Sequence, residues 1–428
     1  MGKSEVSQAL LREKKRIGCD ELIFYVGVFL LPFDNLVIAP SAGWAAIAPF
    51  AFFLYLLLNL RNIKIKLHSL MWAIIIIMLT SFCYVFYNPT ISAVVDTLST
   101  FFLGICFYFS IYVHFIVKQY NPKIFLRVLI VAYFISFLYG LAYLTGINAI
   151  EKLMMVIEKR HSGRLQYTFT EPSFISMHLL GVILPCIIIF KQREVEVFVL
   201  KILLVMFIVV TSVFGTSARF ILDTAVVIVI YFGCRIFRSG INLKKIAIIV
   251  VGIVVVVFAL KFASKDPRLA SIIDKGIYAD DSLASRWFRI NAIIKGMIEK
   301  PISFLFGFGP GNASIPFNIG YEGAFLEYRN EYLVEVLGLK GTMGTSFFCG
   351  HIRVIAEVGL IMYLLLIISL IRTKDKGYRN WFFIWLVIYL YVQFDSYAFY
   401  TIWIFIFSKS YKNGEFNKTL PKSNIKKI

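Results

Sequence analysis

The stretch VFVLKILLVMFIVVTSVF, residues 197–214, decides how the chain is read. Its apolar side chains recur on every side of a helix, with Lys201 the one charge among them. A helix lying on a soluble core would turn a polar face outward every third or fourth residue. A run that is apolar all round is built for hydrocarbon, and about 20 such residues cross a bilayer core of roughly 30 Å. Outward from this run, others fall near residues 22–39, 44–60, 70–87, 94–117, 124–147 and 173–190 on one side. On the other side they fall near 218–237, 246–263, 350–371, 380–394 and 397–408. The 428 residues are 59% hydrophobic and 17% aromatic, with a mean hydropathy of +0.78. The pattern predicts an all-α, polytopic transmembrane helical bundle of about 12 spans. The last two runs are short and also fit a re-entrant pair.

Charge sets the expected orientation. Lys and Arg crowd the N-terminal tail, RNIKIKLH (61–68), KQYNPK (118–123), KQRE (191–194), RIFRSGINLKK (235–245), RTKDKGYR (372–379) and the C-terminal tail. A cytosolic N-terminus puts every one of these clusters on the cytosolic side and leaves both termini inside. The loops at 40–43, 88–93 and 394–397 then face outward without a Lys or Arg. The net charge of +19 follows from topology and implies no nucleic-acid partner. The expected organisation is a cytosolic tail at 1–21 and the first nine spans within 22–263, broken by an outer loop at 148–171. A large outer segment at 264–349, spans within 350–408 and a basic tail at 409–428 complete it. The basic N-terminus precedes a full-length span and has no small-residue cleavage site, so it reads as a tail and not a signal peptide. The six cysteines are scattered without CxxC spacing, which argues against a disulfide framework or a zinc site.

Candidate chemistry lies at the outward helix starts. SGRLQYTFTEPSFISMHLLGVILP (162–185) opens a span with Glu171, with Thr170 or Ser173 as its cap and Pro172 in the first turn. GTSARFILD (215–223) opens another with Arg219, and GHIRVIAEVG (350–359) opens a third with His351. Helix N-termini carry unpaired N–H groups and partial positive charge, so an arginine beside one suits a phosphate. Competing structural readings attach to each. Arg219 and Asp223, four apart, can neutralise one another. Glu171 can serve as a dipole partner, and His178 as a polar bridge between spans. Asp34 and Asp96 lie in apolar runs without an identifiable partner. In the large outer segment an amphipathic stretch runs from Trp287 to Ile298 and is followed by GFGPGN (307–312), a weak match to a phosphate cradle. YADDS (278–282) offers the adjacent carboxylates Asp280 and Asp281, but no spacing that holds a metal, so neither metal nor cofactor is expected.

Four motifs in order, SGRLQYTFTEPSFISMHLLG, GTSARFILD, SRWFRINAIIKGMIEKPISFLFGFGPG and HIRVIAEVGL, resemble the O-antigen polymerase and O-antigen ligase superfamily of membrane glycan-transferring proteins. The resemblance covers roughly residues 20–408. It implies a GT-C-like bundle with a large, helical periplasmic loop in a bacterial inner membrane. It also implies metal-independent glycan transfer from undecaprenyl diphosphate. Carried over by residue, it gives catalytic roles to Arg219, His351 and Glu171, and diphosphate or glycan binding to Arg164, Arg286 and Arg289. The family spacing from its loop arginine to a following glycine is not reproduced between Arg286 and Gly296.

The expected activity is therefore that of a repeat-unit polymerase. The growing glycan on one undecaprenyl diphosphate would pass to the next lipid-linked repeat unit. A diphosphate leaving group needs charge stabilisation more than a proton, and the acceptor hydroxyl needs a base, His351 or Glu171. Expected partners are the lipid-linked oligosaccharide, membrane lipid, and a chain-length regulator and flippase of the same pathway. Two alternatives stand: a ligase delivering the polymer to lipid A-core, and a polysaccharide transporter or flippase. No internal repeat of the kind common in transporters is visible in the chain.

Overall fold

Long apolar runs with few breakers become helices, and their ends fall where the local chemistry stops them. The computed structural model describes residues 18–36, 47–63, 82–88, 90–159, 163–191, 193–215, 218–239, 270–271, 274, 276, 281–327, 349–372, 377–392 and 394–412. The expected run at 246–263 and most of that at 70–87 lie outside them. In chain order the helices begin with α1 (Cys19–Phe29), α2 (Ala48–Leu58), α3 (Ile91–Val117), α4 (Pro122–Leu144) and α5 (Asn148–Ile157). Then come α6 (Phe174–Ile189), α7 (Glu194–Phe214), α8 (Ala218–Ser239), α9 (Asp281–Glu299) and α10 (Pro301–Phe306). The last are α11 (Ser314–Glu327), α12 (Gly350–Val358), α13 (Leu360–Ile371), α14 (Tyr378–Val392) and α15 (Tyr400–Lys412). The described fold is all-helical. Among the described residues three helices, α3, α4 and α7, are long and apolar enough to cross a membrane.

Local chemistry accounts for several boundaries. Asn121 caps α4, its side chain accepting from the Lys123 N–H at 3.0 Å, and Pro122 occupies the first turn, where no N–H is needed. The first apolar run was expected to continue to residue 39, yet α1 stops at Phe29. Pro32 disfavours a helical residue before it, and the chain turns through residues 30–36 to pair with a distant segment. There Asn35 N–H reaches Thr168 O at 3.2 Å, Lys159 N–H reaches Asn35 O at 2.9 Å, and the Thr168 hydroxyl donates to Pro32 O at 2.6 Å.

That turn carries Asp34 into the bundle interior. Its Oδ2 lies 2.5 Å from His178 Nε2, and His178 Nδ1 lies 3.0 Å from the Tyr133 hydroxyl. The His178 ring stacks on Phe169 at 4.3 Å. All three polar side chains are fully buried. Asp34 thus has a partner 144 residues away, and His178 bridges two other segments, as the structural reading of this residue held. Asp34 Oδ1 has no hydrogen-bond partner among the described residues, so compensation of the carboxylate rests on His178.

The expected single run at 350–371 is two helices. Gly359 (φ 86) separates α12 from α13, and Gly307 (φ 92) sits against it. A Cβ on Gly359 would lie 2.4 Å from Leu305 O, and one on Gly307 would lie 2.5 Å from Glu357 O. Beside this crossing the Phe308 N–H donates to Ala356 O at 2.8 Å and the Gly309 N–H to Glu357 O at 2.9 Å. Two donors of the GFGPGN turn therefore cap the C-terminal carbonyls of α12. They are not presented to a phosphate, which removes the weak cradle reading of this motif.

Two cores result. The larger joins α1–α4, α6–α8, α14 and α15, with dense aromatic contacts such as Phe24 stacked on His114 at 3.7 Å. The smaller lies within residues 281–327, where Phe288, Ile293 and Met297 of α9 face Phe317 and Tyr321 of α11, and Ala356 of α12 completes it. The amphipathic reading of Trp287–Ile298 fits this packing, with Phe288 and Met297 inside and Trp287 and Ile298 outside.

Gly359→Ala should lower the thermal unfolding midpoint of the purified protein, because backbone strain of about 1–3 kcal/mol adds to a clash with backbone atoms. Gly146 also has a positive φ (66) but open space around it, and Gly146→Asn should leave the midpoint nearly unchanged. Equal midpoints for the two variants would refute the junction at Gly307 and Gly359.

Candidate active site at the ends of three helices

The starts of α6 and α12 meet at the loop FDSYAF (394–399) that follows α14, and the first turns of α8 and α12 are tied to α14 itself. Phe174 in the first turn of α6 packs edge-on to Phe394, with ring centres 5.4 Å apart. Gly350 N–H, the first of α12, donates to Phe394 O at 2.9 Å. Near the start of α8, Arg219 Nε donates to Asp223 Oδ2 at 3.4 Å, and Asp223 Oδ1 accepts the Tyr389 hydroxyl at 2.6 Å. His351 Nε2 lies 2.8 Å from Ile388 O. Arg219 and His351 are thus tied to successive residues of α14, one through Asp223 and one directly.

His351 is fully engaged. A carbonyl only accepts, so Nε2 carries the proton and donates to Ile388 O. Nδ1 is then the acceptor, and it takes the Tyr363 hydroxyl at 3.0 Å. Neither nitrogen stands open to an acceptor sugar in this arrangement, a point the motif alone does not reveal.

Glu171 is half-buried just before α6. Its carbonyl accepts the Phe174 N–H at 2.9 Å and its Oε2 accepts the Ser173 hydroxyl at 3.3 Å. The capping expected of Thr170 or Ser173 does not occur. Ser173 has helical dihedrals and no side-chain cap bond, and Thr170 Oγ1 has no partner among the described residues. The turn over Glu171 and Pro172 replaces the side-chain cap. Arg164 is exposed on the segment leading into this turn, after Gly163 with φ 63.

The sequence reading passed over the residue that anchors the site. Arg353, one turn into α12, is 4% exposed. Its Nε donates to Glu357 Oε1 at 3.1 Å, its Nη1 to Asp395 O at 3.1 Å and its Nη2 to Thr97 Oγ1 of α3 at 2.9 Å. Its guanidinium lies 4.7 Å from the ring centre of Tyr397, whose hydroxyl donates to Glu357 Oε2 at 2.7 Å. One cation therefore ties α3, α12 and the 394–399 loop together. The signal was available: Arg353 and Glu357 stand four apart in an apolar run, the spacing already recognised for Arg219 and Asp223.

Arg286 and Arg289 are half-buried on α9, and Arg289 lies near the loop after α14. Burial works against the Arg289 cation, and the Asp395 carboxylate nearby opposes that effect. The same loop residue thus faces Arg289 with its carboxylate and Arg353 with its carbonyl. Arg219 is oriented by a carboxylate of its own helix. Its Nε is held by Asp223, while its Nη2 is buried with no hydrogen-bond partner among the described residues. A guanidinium oriented by a carboxylate with a donor left over is suited to a second anion.

Asp280 and the side chain of Asp281 lie outside the described residues. Among those described, no three His, Cys, Asp or Glu side chains are gathered as a metal site would need. Comparison with protein-family models, with curated proteins and with solved structures gives no match.

Arg353→Met removes the cation and leaves Glu357 buried without it, which should destabilise the fold by about 3–5 kcal/mol. Adding Glu357→Gln to that variant should recover part of the loss in a double-mutant cycle read by thermal unfolding. Strict additivity of the two substitutions would show that the pair is not coupled.

Proposed function

We propose that the chain is a repeat-unit polysaccharide polymerase of a bacterial inner membrane, with about 12 spans, both termini cytosolic and the three helix starts facing the periplasm. The observation that carries this reading is Arg219, held by Asp223 at a helix start, with a buried donor that has no hydrogen-bond partner among the described residues. The four motifs that resemble the O-antigen polymerase and ligase superfamily support it from the sequence.

In this reading Arg219 and the α8 N-terminus bind the diphosphate of the undecaprenyl-linked donor. Arg286, Arg289 and Arg164 extend the cationic wall toward the glycan. The acceptor sugar oxygen attacks the anomeric carbon, the bond from that carbon to the diphosphate oxygen breaks, and the diphosphate leaves with the electron pair. The hydroxyl proton passes to a carboxylate, Glu171. His351, with both nitrogens committed, holds α12 against α14 and would act as base only after releasing Tyr363. Charge on the leaving group is met by fixed guanidinium and helix N–H groups, so the reaction needs no metal. A flippase would supply the lipid-linked repeat unit, and a chain-length regulator would set how often transfer repeats.

The glycan profile of a deletion strain tests the reading. A lipid A-core bearing a single repeat is expected. A bare core with accumulated lipid-linked polymer would instead assign a ligase, and repeat units held at the cytosolic face a flippase. In the complemented strain, Arg219→Lys should cut polymer formation by about 100-fold, because an ammonium cannot reproduce the planar fork. Its membrane abundance should equal that of the unaltered protein, and near-normal polymer would remove Arg219 from the diphosphate site. Polymerisation by purified protein should survive excess EDTA; loss on chelation with recovery on adding magnesium would bring Asp280 and Asp281 forward as ligands.

A further inference from the structure

Exposed apolar side chains gather on one surface outside the long helices. α10 buries none of its residues, and Ile302 is 75% exposed with Leu305 and Phe306 beside it. The turn at 82–88 lies against α10: the Tyr87 and Ser303 hydroxyls are 2.6 Å apart, and Cys83 Sγ is 3.5 Å from Phe306 O. This turn directs Val85 (77% exposed), Phe86 (66%) and Phe82 outward. In water such a patch would be a liability in a loop that could equally well be polar.

The flanks of the patch say what covers it. On one side the chain runs from the turn directly into α3, which is long and apolar enough to cross a membrane and exposes Ile91, Val95 and Leu98 at this end. On the other side α10 meets α13 at the Gly307 and Gly359 crossing, and α13 buries none of its residues. The patch is therefore continuous with exposed apolar side chains of α3 and α13. Glu299 and Lys300, both exposed, mark its polar edge at the end of α9. A short helix with an apolar outer side and charges at its margin lies in the interfacial plane of a bilayer.

We infer that the 82–88 turn and α10 are immersed in the same leaflet as the adjoining end of α3, with acyl chains covering Ile302, Phe306, Val85 and Phe86. The unit built on α9 and α11 is then hooked into the membrane through α10. Arg286 and Arg289 on α9 are held near headgroup depth. This inference requires that the chain spans a membrane and does not depend on the glycosyl transfer reading.

Nitroxide accessibility in the full-length protein, reconstituted in phosphatidylethanolamine–phosphatidylglycerol vesicles, tests it. Cys19 and Cys234, the two described cysteines that are not buried, are first replaced by serine. Single cysteines are then introduced as Ile302→Cys, Phe86→Cys and, as a water-facing control on α11, Asn318→Cys. At 302 and 86 oxygen should relax the label more than a water-soluble nickel complex, with a ratio severalfold above that at 318. Nickel-dominated relaxation at 302 and 86 would overturn the inference. So would exclusion of both reagents together with dipolar broadening between labels, which would assign the patch to contact with a second copy. Perturbation by label is controlled by Ile302→Asp, which should weaken vesicle retention of the 281–327 unit against limited proteolysis; unchanged protection would count against membrane burial.

Discussion

A guanidinium that has left water must be surrounded by acceptors, and the burial of Arg353 organises this molecule around that requirement. Its donors are spent on α3, on its own helix and on the loop after α14. The loop FDSYAF can therefore be neither long nor free. It is clamped by Arg353, packed edge-on against α6 through Phe394, and faced by Arg289 from α9. The starts of α6 and α12 are tied to this loop, and the first turn of α8 is tied to α14 through Asp223 and Tyr389.

The second constraint is the end of α12. In an apolar setting its terminal carbonyls need donors, and the GFGPGN turn provides them. Backbone meets backbone at Gly307 and Gly359, so the smaller core cannot drift from the helices without uncapping α12. The arginines of α9 are thereby held in one frame with α12. A transfer reaction between two lipid-linked substrates needs such a frame, since reacting groups must be fixed within a few tenths of an ångström of the productive geometry.

Much of the helical content was legible from hydropathy alone, and the boundaries of α4 and α7 follow from Asn121, Pro122 and the charged residues before Glu194. The early stop of α1 was also written in the sequence, at Pro32, but was outweighed by the apolar residues beyond it. The break at Gly359 was not legible, because a lone glycine in an apolar run is ambiguous until its neighbour, Gly307, is known. Nor was the pair of Asp34 with His178, where two costly residues in separate runs cancel one another across a long sequence distance. For the candidate site, motif and topology nominated the helix-start residues Glu171, Arg219 and His351, and the structure supplies their neighbours. Arg353 and Asp395 were missed, since one sat inside a motif read for its histidine and the other in a loop judged only by its lack of basic residues. The occupancy of both His351 nitrogens depends on Ile388 and Tyr363, which no local pattern announces.

The proposed function requires a lipid-borne diphosphate seated on Arg219. Solid-state NMR of the protein in bilayers, with guanidinium nitrogens labelled with nitrogen-15 and an undecaprenyl-diphosphate-linked oligosaccharide bound, measures it through phosphorus–nitrogen dipolar dephasing. Strong dephasing is expected of an arginine signal that disappears in Arg219→Lys while the Arg353 signal is unaffected. Dephasing that survives this substitution, or that is confined to the lysines of the basic tails, would contradict it.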